Sequence, residues 1–345
     1  MIEFWRSKLS DSSKKQYDVL LNAIREKKTN VELTKTKTST DQILQIFQNL
    51  LYDHPELYYI SPQLPLVLGA FSINCCLSYL YNAQQMQEIE KSFVNVKQAL
   101  ASERHKTDIE KVYSAVFLIL NNSQYEINNI YNQNAASAIH YHAAQCSGFA
   151  LAFKYVMDHL GIWCIAVPGN VSNGVQSGPH GWNILKLNDA YYHVDITSIL
   201  ASITLTDISQ LSHSRLFESD AQKKQQGYVW DCSQTPICSE MNMQPFANLN
   251  NSINEARTKG RENADDDSFP VYTRLFDVQA KVKECLKNRI SSYEFILNIP
   301  VYSNEKLQKM IMSYLSEQGK ALLVAHKAEV GFVNGRFYLK INYNN

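Results

Sequence analysis

The chain has 345 residues, enough for two or three domains, and 45% of them are apolar, which supplies an ordinary globular core and leaves room for only short disordered stretches. Lys plus Arg and Asp plus Glu both total 33, so no net field draws the chain to nucleic acid or to an anionic membrane, and no basic run of five or more makes a local one. Seven cysteines, odd in number and irregularly spaced, exclude a disulfide framework and point to at least one free thiol in a reducing compartment.

The opening Met1-Ile2-Glu3-Phe4-Trp5-Arg6 lacks the basic start, apolar stretch and small-residue cleavage site of a secretory signal. A cytoplasmic protein, an export route without such a signal, and a signal already removed all fit, and the compartment stays open. Residues 12–27 place Tyr17, Leu20, Leu21 and Ile24 at helical spacing. Ser39-Thr40-Asp41 caps a second helix, carried by Ile43, Leu44, Phe47, Leu50 and Leu51 and ended by His54-Pro55. Strands are expected near Leu57–Ile60 and over Leu66–Tyr81. The apolar stretch Leu64–Tyr81 is broken by Gly69, Ser72, Asn74 and Ser78, so it reads as buried strand and not as a membrane span. Gln84–Leu100 and Asp108–Leu120 return to helical periodicity, which makes residues 1–104 a mainly helical N-terminal region.

Residues 121–145 are rich in Asn, Gln, Ser and Ala and read as loop and short helix, the usual material of a binding surface or lid. After Cys146, the residues Phe149, Phe153, Val156, Met157 and Leu160 fall on one helical face and Gly161 stops the helix. Ile162–Val167 and Trp182–Leu187 follow as strands, Asn188-Asp189 as a turn, and Ala190–Ile196 as the returning strand. Residues 248–268 are polar and aperiodic and read as a linker. Residues 269–345 read as a small α+β domain: a helix at Phe276–Lys287, a strand at Tyr293–Ile299, a helix at Asn304–Glu317, a strand at Ala321–His326, and a hairpin of Glu329–Val333 and Arg336–Ile341 around Asn334-Gly335.

The chemistry concentrates in three short stretches. A cysteine is a useful nucleophile only as thiolate, which a helix N-terminus and a nearby imidazolium favour. Cys146 opens a predicted helix, and the small Ser147 and Gly148 leave room for a substrate carbonyl; the Cys146 N–H is a candidate oxyanion donor. If Asn188-Asp189 is a two-residue loop, Asp195 lies opposite Trp182, with His180 two residues on and on the same face. A three-residue loop would need a bulge to restore that contact. His193 shares the face of Asp195 and is the other candidate base, though its place inside the strand suits a packed histidine. His140 and His142 read as rim residues.

Cys146-Ser147-Gly148-Phe149-Ala150, Pro179-His180-Gly181-Trp182-Asn183 and Tyr191-Tyr192-His193-Val194-Asp195-Ile196-Thr197 resemble the three motif blocks of the transglutaminase-like superfamily of papain-type cysteine enzymes. Glu110-Lys111-Val112-Tyr113, Tyr125-Glu126 and Asn132–Ala138 are similar to the lead-in of its bacterial members, and Asp53-His54-Pro55-Glu56-Leu57 to a segment before their core. The correspondence spans about 105–200 and thins over 40–100 and 200–245.

The resemblance implies an α+β fold with a transglutaminase-like catalytic core over 105–247, in which a helix N-terminus bearing cysteine packs on an antiparallel sheet bearing histidine and aspartate. It further implies a Cys146 nucleophile, a His180 base and an Asp195 orienter, forming a thioester from an amide of a protein or peptide substrate. The acceptor is then an amine, water or another small group. Gln145 departs from the family, which usually has an apolar residue there; it is a candidate side-chain oxyanion donor. Trp182 either lines the acyl groove or packs in the core. No cofactor and no metal are expected: there is no pair of C-x-x-C motifs and no acidic loop resembling a calcium site. A local Cys232–Cys238 disulfide is conceivable from the spacing. The competing expectation is a binding or scaffolding protein that keeps the fold without turnover, with the C-terminal domain docking a partner in either case.

Overall fold

The computed structural model of the chain describes residues 2–34, 39–101, 104–120, 123–126, 132–173, 177–202, 216–239, 271–272, 275–297, 307–309, 311–312, 314–315, 326–333 and 336–343. The chain divides into two units. The first takes Met1–Val112, Gln124–Thr197 and Phe217–Met241, and the second takes Tyr113–Ser123, Ser198–Leu216 and Asn242–Asn345.

The first unit opens on α1 (Phe4–Ser7) and α2 (Asp11–Arg25), the latter started by Ser10, whose hydroxyl accepts the Ser13 N–H. Strand β1 (Asn30–Thr34) and helix α3 (Thr40–Asp53) follow. A capping box starts α3: Ser39 and Gln42 each satisfy the other's backbone N–H. Tyr17, Leu20 and Ile24 recur at helical spacing on α2, as Ile43, Phe47 and Leu50 do on α3, and the two stripes share one core. Leu57–Ile60 is not the expected strand. Leu57, Tyr58 and Ile60 are buried, but from a run of turns in which Leu57 N–H bonds His54 O and Ile60 N–H bonds Leu57 O, leaving only an isolated bridge from Ile60 to Tyr79.

The expected strand over Leu66–Tyr81 is a hairpin, β2 (Leu66–Leu68) and β3 (Ser72–Cys76), because the Gly69 N–H turns back to Ser72 O at 2.8 Å. These strands and β1 form an antiparallel sheet in the order β1-β3-β2. Helices α4 (Ala83–Ala101) and α5 (Asp108–Leu120) follow, α5 belonging to the second unit from Tyr113 on. Among the described residues no helix is long and apolar enough to cross a membrane.

Short β4 (Gln124–Tyr125), α6 (Ala135–Ile139) and β5 (Ala143–Ala144) lead into α7 (Cys146–Leu160), with β4 and β5 paired in parallel. Gly161 ends α7 at φ 76°, the left-handed conformation that glycine adopts without cost. Then come β6 (Cys164–Ser172), β7 (Ser177–Leu187), β8 (Ala190–Val194), α8 (Ile196–Ser202), α9 (Asp220–Gln225) and β9 (Tyr228–Val229). The four strands make one antiparallel sheet in the order β8-β7-β6-β9.

Helix α7 packs on β6 and β7 and is buried on nearly every side from Gly148 to Met157. Lys154 enters that interior because Asp158, one turn on, pairs with it at 2.9 Å. Gly148 is fixed by space: a Cβ there would lie 2.6 Å from Asn132 O and closer still to Ser137 Oγ, at the junction with the α6 segment. Gly148→Ala is therefore expected to cost about 1–2 kcal/mol net, overpacking outweighing the helix-propensity gain. A chemical-denaturation midpoint unchanged or raised in the variant would show that the α6 segment yields without cost.

The second unit contains β10 (Val271–Tyr272), α10 (Leu275–Lys287), β11 (Ser292–Leu297), β12 (His326–Val333) and β13 (Arg336–Tyr343), with sheet order β10-β11-β13-β12. Residues 307–309, 311–312 and 314–315 are helical. Val278, Val282, Phe295, Ile311, Phe337 and Leu339 form its core. The expected linker over 248–268, the Asn334-Gly335 turn and all but the last residue of the expected Ala321–His326 strand lie outside the described residues.

Candidate active site

Gln145 is the N-cap of α7, extended and without a side-chain cap bond, so Cys146 stands in a first turn whose backbone N–H groups have no intrahelical partner. The hairpin of β7 and β8 supplies the other two groups. Its register pairs Leu187 with Ala190 and Asn183 with Val194, which makes the loop two residues long, with Asn188 at φ 52°. Asp195 therefore follows the last pair at the level of Trp182, a diagonal step from His180. The His180 Nε2 lies 2.7 Å from Asp195 Oδ2, both side chains buried. With Nε2 so engaged, Nδ1 is the nitrogen left for the Cys146 thiol; a Cβ on Gly181 would lie 3.5 Å from Ser147 Cα, so the histidine strand runs against the start of α7, and the His180 ring with the Gly181 and Ser147 N–H groups favours the thiolate.

These contacts set the charges. Burial pushes the Cys146 thiol up, but the hydrogen bond and charge of His180, then the Gly181 and Ser147 N–H groups, outweigh it, and the thiol lies below its ordinary value. Burial pulls His180 down, yet its bonds to Asp195 and Cys146 and their negative charges raise it to about 9. Burial would raise Asp195 as well. The His180 bond, the nearby Lys223 cation and the Tyr228 hydroxyl instead hold it far below the usual carboxylate range. The Cys146 and His180 shifts both favour the thiolate–imidazolium pair over the neutral pair.

The Gln145 Oε1 accepts the Gln133 Nε2–H at 3.3 Å. Trp182 is 1% exposed and lies beneath His180, with ring centroids 6.0 Å apart. A Cβ on Gly169 would fall 2.6 Å from the Trp182 ring, so this glycine makes space for the indole. His140 bonds Ser92 through Nδ1 at 2.8 Å.

Sequence reasoning passed over what stands behind Asp195. Tyr228 Oη donates to Asp195 Oδ2 at 2.6 Å, and Lys223 Nζ lies 4.0 Å from the same oxygen. Both belong to the segment around α9, too short for a periodic pattern. Ser219-x-x-Gln222, a capping box realised in the structure, was the available signal for the helix that carries Lys223.

His193, Asp220 and Cys238 bring ligand-type atoms within 4.8 Å of one another. The Trp182 indole N–H, which can only donate, points at His193 Nδ1 at 2.9 Å. The proton of the neutral ring is then on Nε2, which donates to Asp220 Oδ1 at 2.8 Å. Metal ligation through Nε2 would set an Nδ1–H against the indole N–H, so the cluster is a hydrogen-bonded core and not a metal site. Cys232 and Cys238 are both free thiols, so the spacing-based disulfide is not formed.

No family model matches the chain, and no curated protein matches it. Among solved structures, a transglutaminase is similar at 12% identity and TM-score 0.30, covering 54% of this chain and 55% of its own. This chain thus spans about half the length of that relative. A protein of Cytophaga hutchinsonii, provisionally designated a cysteine protease, is similar at 11% identity and TM-score 0.28, covering 52% of this chain and 71% of its own.

Proposed function

We propose that the chain is a thiol-dependent acyl transferase or hydrolase acting on amide bonds of proteins or peptides, of transglutaminase-like type, through a thioester on Cys146. The observation that carries this reading is a His180 held by buried Asp195 at 2.7 Å, whose bond and charge lower the Cys146 thiol in the first turn of a buried helix.

The thiolate attacks the amide carbon and forms a C–S bond, while the carbonyl electrons move to oxygen. First-turn N–H groups of α7, with the Cys146 N–H among them, are the donors available to that oxyanion. His180 passes its Nδ1 proton to the departing nitrogen as the C–N bond breaks. Water or an amine then gives its proton to Nδ1 and attacks the thioester, and Cys146 leaves as thiolate, with the imidazolium restored. Asp195 holds the ring with Nε2–H directed at itself throughout. The C-terminal domain, whose Cys285 thiol is buried in the core, is assigned the docking of a substrate or partner.

Incubation with a glutamine-rich protein and a lysine donor, read by mass spectrometry against a Cys146→Ala control, tests the reading. Products 1 Da heavier mean deamidation, crosslinks mean transamidation, and new termini mean proteolysis. A substrate panel left unchanged by wild type and variant alike, together with a Cys146 no faster to alkylate than the other thiols, would overturn it.

A further inference from the structure

Behind the orienting carboxylate lies a second layer of charge that the reaction above does not use. Glu218 and Lys223 form an ion pair with both side chains buried. Lys223 Nζ also lies 4.0 Å from Asp195 Oδ2 and 4.1 Å from the centre of the Tyr228 ring, whose hydroxyl donates to that same oxygen at 2.6 Å. Gln226 Nε2 donates to Glu218 Oε1. Glu218 is anchored by its backbone too, exchanging N–H···O bonds of 2.9 and 3.0 Å with His193 on β8. One strap, residues 218–228, thus delivers an acid, a base and a phenol to the far side of Asp195.

Burying an ammonium is costly, and a lysine serving only as filler would be better replaced by an apolar side chain. Its position is informative: Asp195 already accepts His180 and Tyr228 at one oxygen, so a cation beside that oxygen stabilises a fully buried anion without competing for the ring N–H. We propose that Lys223, held by Glu218 and Tyr228, is a positioning residue that fixes the Asp195 carboxylate, and through it the charge and orientation of His180. This deepens the acyl-transfer reading and rests on it for its function.

Several charged or titratable groups among the described residues face the site. Cys146 lies against His180 from α7. Tyr52 on α3 senses the Cys146 charge, and Tyr125 on β4 senses those of Cys146 and Asp195. Tyr228 on β9 and Lys223 on α9 face Asp195, and Glu218 and His193 face Lys223. With these in place, the sign of each charge change follows. Lys223→Met removes the cation that offsets Asp195, so the imidazolium is favoured and the His180 midpoint rises. Glu218→Gln leaves the cation uncompensated, so the midpoint falls.

The experiment is an NMR titration of the His180 ring in histidine-labelled full-length protein, its signal assigned by difference from His180→Gln. The wild type should titrate near 9, Lys223→Met about half a pH unit or more above it, and Glu218→Gln about as far below. Midpoints that do not move, or that move in the same direction, would overturn the proposal, because a cation and an anion coupled to His180 through Asp195 must shift it in opposite directions. Should Lys223→Met fail to fold, Glu218→Gln alone decides: a lower midpoint supports the proposal, and an unchanged or higher one overturns it. The readout needs no substrate, so failure of the acyl-transfer reading leaves this result standing, and turnover with unmoved midpoints sinks only the Lys223 role.

Discussion

Iodoacetamide at pH 6 to 7 should alkylate Cys146 at least tenfold faster than any buried cysteine of the folded chain, as read by peptide mass spectrometry over time. Only thiolate reacts, and the environments separate the thiols. Cys146 is lowered by His180 and two N–H groups, whereas burial raises Cys75, Cys164, Cys238 and Cys285. The pH window follows from the signs. The lowered thiol keeps its negative charge down to pH values below the ordinary thiol range, and the imidazolium persists until pH passes about 9. Turnover on an amide should therefore be bell-shaped, falling on the acid side as the thiolate protonates and on the alkaline side near 9 as His180 loses the proton it must donate. Cys146→Ala removes both the labelling and the turnover. Equal alkylation of Cys146 and the buried thiols would remove the basis for an activated nucleophile.

Asp195→Asn should lower kcat on an amide by roughly 100- to 10,000-fold with the fold retained, the range expected when a buried orienter loses its charge and the ring is freed to adopt the wrong tautomer. His180 would fall from about 9, since Asp195 supplies both its hydrogen bond and a neighbouring negative charge. The same change has a stability signature. A carboxylate whose folded pKa is depressed contributes stability at pH values above its unfolded pKa and loses it as pH falls through the folded one. The wild type should thus lose part of its advantage over Asp195→Asn on acidification. Equal kcat in the two proteins at pH 7, with matched melting curves, would show that His180 needs no anionic partner.

Much of the site was legible because each of its parts has a short-range cause. A small-residue start and a glycine stop bound α7, and an Asn-Asp loop with strand parity brings Asp195 across from Trp182 and within reach of His180. What was not legible depends on side chains meeting across long sequence separations. Nothing local distinguishes Tyr228 or Lys223 from surface residues, yet they reach Asp195 from 33 and 28 positions away. Apolar content misled at Leu57–Ile60, where burial comes from turns bonded to their own neighbours and not from a ladder. At Leu66–Tyr81 the pattern gave the strand character but not the reversal at Gly69, which depends on a single N–H finding Ser72 O.

The loop between β7 and β8 has one further consequence. His180 and Asp195 stand on opposite arms of a hairpin whose side chains alternate between faces, and the two-residue connection keeps Asn183 opposite Val194 without a bulge. The sequence of the loop is free to drift, since Asn188 sits where glycine or aspartate also fits. Its length is not. Over evolutionary time, insertions here should survive in pairs, or singly only with a compensating bulge, because an odd residue turns Asp195 away from the histidine it serves.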